Sequence, residues 1–475
     1  MANEVDLIIR NGTVVLPGGG VVEGLSVAVD GDRIVAIGAE ESLPASREVL
    51  DATGKHVLPG FIDAHVHTRA PGYEEKEEIY DCTVAGAVGG ITTMVAMFNV
   101  DPMVRDVASY RNFIDYCSTR SVINYNVNAV LTDGYIEDIP ALIEAGVASF
   151  KLVLGYKYDI SGGTGRADSK AIVTPDDGVL LHAMRVLAAH GVTLVAHAEN
   201  DDIIKWHQNN LKSRGEVGPM AHIASRPSVA EEEAISRLIL FSKTTGCKVH
   251  ILHLGNGEGV RLVREAQHAG VPITAETCPH FLTMTNEVAL NTLGGVAKTN
   301  PPIRNQWDQD RLWHAVNHGG LDTIGTDHAP HTDKDKMVDD PFSNLFDVYA
   351  GWPGIETGAP IMFTQVNEGK LSISRLVEMY STNPAKMTGL YPDRGVLQPG
   401  SIADIIVVDM DRQGTIERSK LHSKQKNSPF HGWKVTGIPT HTIINGQVVY
   451  ADGELLGKAG QGRYVPAVRA AHPSA

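Results

Sequence analysis

The sequence predicts an α/β protein: a (β/α)8 barrel carrying a small β-domain assembled from both ends of the chain. Three observations lead there. Eight short β-rich segments recur through the middle of the chain, each ending in polar residues and separated by stretches with helical spacing. The two ends share a different texture, short β-rich runs broken by Asn-Gly and Asp-Gly pairs, which are hairpin signals. Neither end alone holds enough strands for independent stability, so the two are expected to pair. A doubly wound open sheet is the alternative topology, and the lack of a GxGxxG after an early strand disfavours it.

The elements follow in order. Residues 1–56 supply the N-terminal part of the small domain, with DLIIRNGTVV (6–15) and LSVAVDGDRIVAIG (25–38). Residues 57–395 form the barrel. Its strands are VLPGFIDAHVH (57–67), ITTMVAMFN (91–99), VINYNVNAVL (122–131) and SFKLVLG (149–155). They continue with TLVAHAE (193–199), KVHILHLG (248–255), ITAETCP (273–279) and TIGTDHA (323–329). Helical spacing lies between them, as in DDGVLLHAMRVLAAHG (176–191) and SVAEEEAISRLILFSKTT (228–245). Residues 396–455 complete the small domain with ADIIVVD (403–409) and HTIINGQVVYADGE (441–454), leaving 456–475 as a tail.

Composition narrows the function. The chain has 41 basic and 56 acidic side chains, a formal charge of −15, and no Lys/Arg run. Nucleic acid and anionic membranes are therefore not expected partners. No apolar run approaches 18 residues, and the N-terminal MANEVDLIIRNGTVV lacks a signal-peptide pattern. The four cysteines, Cys82, Cys117, Cys247 and Cys278, form no CxxC pair and no disulfide framework. A reducing, cytoplasmic setting is expected.

The chemistry sits at strand ends. His65 and His67 alternate on one strand, so both side chains face the same way. Imidazole suits zinc and similar ions. An HxH alone is weak, because such pairs occur by chance. Lys151 lies inside the fourth β-rich segment, where a lysine is unusual. His197, His253 and Asp327 lie near the carboxyl ends of the fifth, sixth and eighth. Five strand ends supplying matched ligand types to one barrel mouth form a pattern that chance explains poorly.

These residues sit in LPGFIDAHVH, AGAVGGITTMVAM, SFK, AHAEN, AETCPHFL, NPPIR, TDHAPH, TNPAKMTGLYP and PGSIADIIVVD. Together the motifs resemble the cyclic amidohydrolases: hydantoinases and dihydropyrimidinases, allantoinases and dihydroorotases. The resemblance covers nearly the whole chain and implies a TIM-like barrel with a small β-sandwich domain formed from both termini. It implies two divalent metal ions, usually zinc, about 3.5–4 Å apart. His65, His67 and Asp327 would hold one, His197 and His253 the other. Lys151 would be carbamylated by CO2 and bridge both. A metal-bridging hydroxide would open the C–N bond of a small cyclic amide, with Asp327 as general acid and base and Tyr156 bonding the oxyanion. The resemblance also implies a homotetramer or homodimer.

The substrate motifs form a mosaic. Arg69 and Asn99 match dihydroorotase residues that bind a carboxylate, and Asn300 and His331 resemble dihydroorotase positions. Tyr156, PGIETGAPIMF and GLYPDRG are more like hydantoinase or allantoinase. HTRAPG departs from the usual dihydroorotase form at Thr68 and Ala70. The expectation is a hydantoinase- or dihydropyrimidinase-like enzyme with a dihydroorotase-like polar pocket for an acidic substituent. Dihydroorotase or allantoinase proper are the alternatives, and an ion pair with Glu74 or Glu75 is the structural alternative for Arg69. A non-catalytic scaffold relative is disfavoured because all six ligand positions are filled. Lys151 likewise disfavours a one-metal deaminase. The charge-dense HTDKDKMVDDPF (331–342) is expected to be a solvated loop rather than a lid.

Overall fold

The computed structural model describes residues 4–155 and 174–468. The N-terminal part contributes β1 (Val5–Val15), β2 (Val21–Asp30), β3 (Arg33–Gly38), β4 (Ser46–Asp51) and β5 (His56–Pro59). The barrel uses β6 (Phe61–Val66), β7 (Ile91–Ala96), β8 (Asn124–Val127), β9 (Ala129–Val130) and β10 (Phe150–Val153). It continues with β11 (Leu194–His197), β12 (Val249–Ile251), β13 (Ile273–Thr277) and β14 (Thr323–Ile324). The C-terminal part adds β15 (Ile405–Thr415), β16 (Lys434–Ile444), β17 (Gln447–Ala451) and β18 (Glu454–Leu455).

Both termini build one nine-stranded sheet, and β5 is its seam. It pairs in parallel with β1 and antiparallel with β15. Two of the Asn-Gly and Asp-Gly pairs close two-residue hairpins with positive φ at both positions: Asn445-Gly446 (51° and 80°) and Asp452-Gly453 (45° and 101°). Asn11-Gly12 does not turn the chain; it lies inside β1, where the register to β2 shifts. A Cβ on Gly12 would fall 2.5 Å from Val57, so the close approach of β5 selects glycine at this bulge.

The first predicted barrel strand divides. Residues 57–59 belong to the small domain's sheet, and the barrel begins at Phe61. Gly60 separates them because a Cβ there would meet the Thr92 side chain at 2.2 Å.

All barrel pairings are parallel. β8 and β9 together form the third stave, and the ring closes where Val66 bridges His328 and the His67 N–H donates to the His328 carbonyl at 2.7 Å. Met387, on the helix Asn383–Thr388, packs against Ala64, Val95, Ala148, Met97, Val195 and Leu252, so the barrel is a filled core. The described part of the expected tail, 456–468, packs against the barrel. The Gly462 N–H donates to Ser121 and the Val465 N–H to Tyr125, which ties it to the start of β8. No helix among the described residues is long and apolar enough to cross a membrane.

Candidate active site

The parallel barrel delivers its side chains to one mouth. His65 lies on β6 and His67 just beyond it; Lys151 is on β10 and His197 ends β11. His253 follows β12 by two residues and Asp327 follows β14 by three. Arg69, His253 and Asp327 adopt positive φ (63°, 39° and 49°). Non-glycine residues held there concentrate at functional sites, because packing must overrule the local strain.

Two groups of ligand atoms converge. The first is His65, His67 and Asp327, whose ligand atoms all lie within 4.8 Å of one another. Both imidazole Nε2 atoms face the same oxygen, Asp327 Oδ1, at 3.2 and 3.3 Å. Their other nitrogens are committed. His67 Nδ1 donates to Asn99 Oδ1 at 2.7 Å, so its Nε2 carries a lone pair. His65 Nδ1 lies 2.7 Å from Glu276 Oε1, which also accepts the His253 N–H at 3.1 Å. Both contacts fall on this one oxygen, and burial, the largest influence, pushes the Glu276 carboxyl up to about 8. Burial also holds the imidazoles neutral, His65 down to about 3 and His67 to about 4. Burial would raise the Asp327 carboxyl, but His65 and His67 hold it well below its usual range. Three acceptors, one buried and two partly buried, therefore point at one space with no proton to share, an arrangement that a cation resolves.

The second group is His197 and His253, with Nδ1 and Nε2 2.9 Å apart. His197 Nε2 donates to Glu199 Oε2 at 2.7 Å, which leaves Nδ1 as the acceptor. Burial opposes ionisation of Glu199, yet Arg226 and His197 keep its carboxyl below the usual range. The ring centroids of His65 and His253 are 5.2 Å apart, so the two groups are neighbours. Lys151, 3% exposed, acts electrostatically on His65, His197 and His253 alike. Burial lowers its ammonium from 10.5 to about 8, which raises the share of neutral amine.

His67, Lys151, His197, His253 and Asp327 line one pocket together with Arg69, Asn99 and Asn300. Arg69 Nε donates to the Pro330 carbonyl at 3.1 Å and an Nη to His331 Nε2 at 3.0 Å. His331 stands behind Arg69 rather than in the pocket. It is 1% exposed, stacked on Tyr349, with Nδ1 3.1 Å from Lys76 Nζ. Tyr156 lies outside the described residues.

The segment 331–342 is not simply solvated. Lys336 is fully buried, with Nζ donating to the carbonyls of Lys298 and Tyr349 at 3.2 and 2.8 Å. Lys298 Nζ in turn donates to Leu345 and Val348 at 2.6 and 2.5 Å. The two lysines staple the loop to the irregular segment that carries Asn300, because buried carbonyls need donors.

Sequence reasoning missed Glu276, Glu199 and Lys76. The signal for the first two was present, since each is a carboxylate in an otherwise apolar strand-end segment.

The sequence profile described as "Amidohydrolase family" matches residues 56–449. The chain is 33% identical to the L-hydantoinase of Paenarthrobacter aurescens over 462 residues, covering 97% of this chain and 98% of that one. It is 32% identical to the dihydroorotase of Acetivibrio thermocellus over 453 residues, covering 95% and 100%. The solved L-hydantoinase (dihydropyrimidinase) from Arthrobacter aurescens superposes with a TM-score of 0.92 at 32% identity, over 97% of this chain and 100% of that one. The dihydropyrimidinase of Brevibacillus agri follows at 0.88 and 29%, over 98% and 99%.

Proposed function

The chain belongs to the amidohydrolase family, and from that premise we propose how this cyclic amidohydrolase holds its metals and chooses its ring. The carrying observation is the convergence of His65 Nε2, His67 Nε2 and Asp327 Oδ1, three acceptors whose tautomers and charge leave a place for a cation. The donor set fits a binuclear zinc centre, with His65, His67 and Asp327 on one ion and His197 and His253 on the other. Lys151, once carbamylated, would supply the anionic ligand shared by the two ions. Its neutral Nζ adds to the carbon of CO2 and loses a proton, which turns a cation into a two-oxygen anion. When bound, the ions supply Lewis acidity to the scissile carbonyl and acidify the attacking water.

The residues do the rest. Asp327 takes the proton of the attacking water and returns it to the leaving ring nitrogen. Glu276, Asn99 and Glu199 hold the three imidazoles in the tautomers that ligation requires. Tyr156 is assigned the oxyanion by resemblance. Arg69 offers a planar fork to an acidic or strongly polar ring substituent, with Asn99 and Asn300 on the same wall and His331 behind it. The four cysteines are buried thiols, in keeping with a cytoplasmic enzyme, and a homotetramer or homodimer completes the reading.

Ring-opening rates of the zinc-loaded enzyme on dihydroorotate, dihydrouracil, hydantoin, a 5-substituted hydantoin and allantoin test the pocket. Preference for a ring with a carboxylate or polar substituent supports the assignment of Arg69. Preference for unsubstituted dihydrouracil or hydantoin removes it.

A further inference from the structure

Between β15 and β16 the small domain sends residues 416–433 over the barrel mouth. This excursion is tied at its base, where the Gly432 N–H donates to the Ile416 carbonyl at 2.8 Å. At its far end it grips two barrel loops at once. The Lys424 N–H donates to Glu77 Oε1 at 2.7 Å, and Gln425 Nε2 to the Glu75 carbonyl at 2.9 Å, on the loop after β6. Asn427 Nδ2 donates to the His331 carbonyl at 2.7 Å and to Asp333 Oδ1 at 3.0 Å, on the loop after β14. Asn427 is 2% exposed and Ser428 fully buried, so this contact is built into the interior. Phe430 follows, edge-on to Trp352 at 6.4 Å.

The gripped residues bear on Arg69. Both described anchors of its guanidinium, the Pro330 carbonyl and His331 Nε2, lie on the segment whose carbonyl Asn427 holds. Lys76, on the other gripped loop, reaches His331 Nδ1 and forms an ion pair with Asp335 at 3.1 Å. Arginine can only donate, so His331 Nε2 accepts from Arg69. A guanidinium fork recognises a carboxylate only when its plane is fixed, and fixing it in advance avoids an ordering cost on binding.

We propose that Asn427 is a positioning residue for acid recognition: it locks the 330–333 segment on which Arg69 rests, making the small domain a determinant of substrate choice. The inference rests on the reading that Arg69 grips an acidic substituent. Its absence would leave the His331 carbonyl without this donor and let the fork drift, while the metal ligands keep their own carboxylate and amide partners.

The test is the KM and kcat of zinc-loaded Asn427→Ala on dihydroorotate and on dihydrouracil, beside Arg69→Met. Loss of the two Asn427 hydrogen bonds behind the fork should raise KM for dihydroorotate about tenfold, with kcat and both dihydrouracil constants within about twofold. Should Asn427→Ala fail to fold, Asn427→Asp keeps the volume, removes the donors and should show the same split. Equal losses on both substrates would make Asn427 merely structural, and no loss on either would make it dispensable; each overturns the proposal. If Arg69→Met discriminates and the Asn427 variants do not, the clamp fails alone. If Arg69→Met does not discriminate, the acid-recognition reading fails and the clamp with it.

Discussion

The Nδ1 of His65 lies 2.7 Å from Glu276 Oε1, and this contact, spanning 211 residues of sequence, decides which nitrogen of His65 faces Asp327. The metal site is thus defined as much by residues that never touch the ion as by those that do.

Glu276→Gln keeps the shape but replaces the carboxyl group that meets His65 Nδ1 and the His253 N–H with an amide. Metal affinity should fall about 10- to 100-fold, read by competition with a chelator, with little change in the fold's circular dichroism. Unchanged affinity would mean that His65 is oriented by something else.

Gly325 tests the same carboxylate from the far side. A Cβ at this position would fall 2.3 Å from Glu276 Oε2 and 2.6 Å from its Cδ. Gly325→Ala should therefore displace Glu276 and lower metal content about as much as Glu276→Gln, although residue 325 touches no ligand atom. Normal metal content in a folded Gly325→Ala protein would contradict this.

Lys151→Ala removes a buried lysine that acts on both histidine groups. Activity should drop by at least about 100-fold and bound zinc should fall below two per chain. Retention of both would discard the binuclear assignment.

Lys298 predicts a pH effect on stability. Burial lowers it from 10.5 to about 7. Between those values the unfolded chain holds a proton that the folded chain lacks, so this group makes stability rise with pH. Wild type should gain on Lys298→Met by on the order of 1 kcal/mol per pH unit from about pH 7 to 9. Lys298→Met should be the less stable protein throughout, because it strands the Leu345 and Val348 carbonyls at about 1–3 kcal/mol. Parallel stability curves, measured by denaturant unfolding, would show that Lys298 stays charged in the fold.

What the sequence made legible was periodic or terminal. Eight strand ends could be located because apolar runs stop at polar residues, and His65 and His67 share a face because strands alternate. What it hid depended on close approach or on distance along the chain. Gly60 parts one β-rich run between two sheets at a point where a Cβ would fall 2.2 Å from the Thr92 side chain, which no local pattern records. Asn11-Gly12 carried a turn signal, yet β5 needed the small residue in a bulge. Asn427 meets His331 across 96 residues, and Lys336 is buried beneath a charge-rich stretch whose composition suggested solvent. His331 was legible as a neighbour of the site, but not as the support of Arg69 instead of a pocket wall.

The most direct measurement is the ring-opening rate of chelator-stripped enzyme as zinc is returned in steps. The ligand set predicts almost no activity without metal and a rise that stops at two equivalents per chain. Activity that survives stripping, or that saturates at one equivalent, would contradict the binuclear centre built on His65, His67, Lys151, His197, His253 and Asp327.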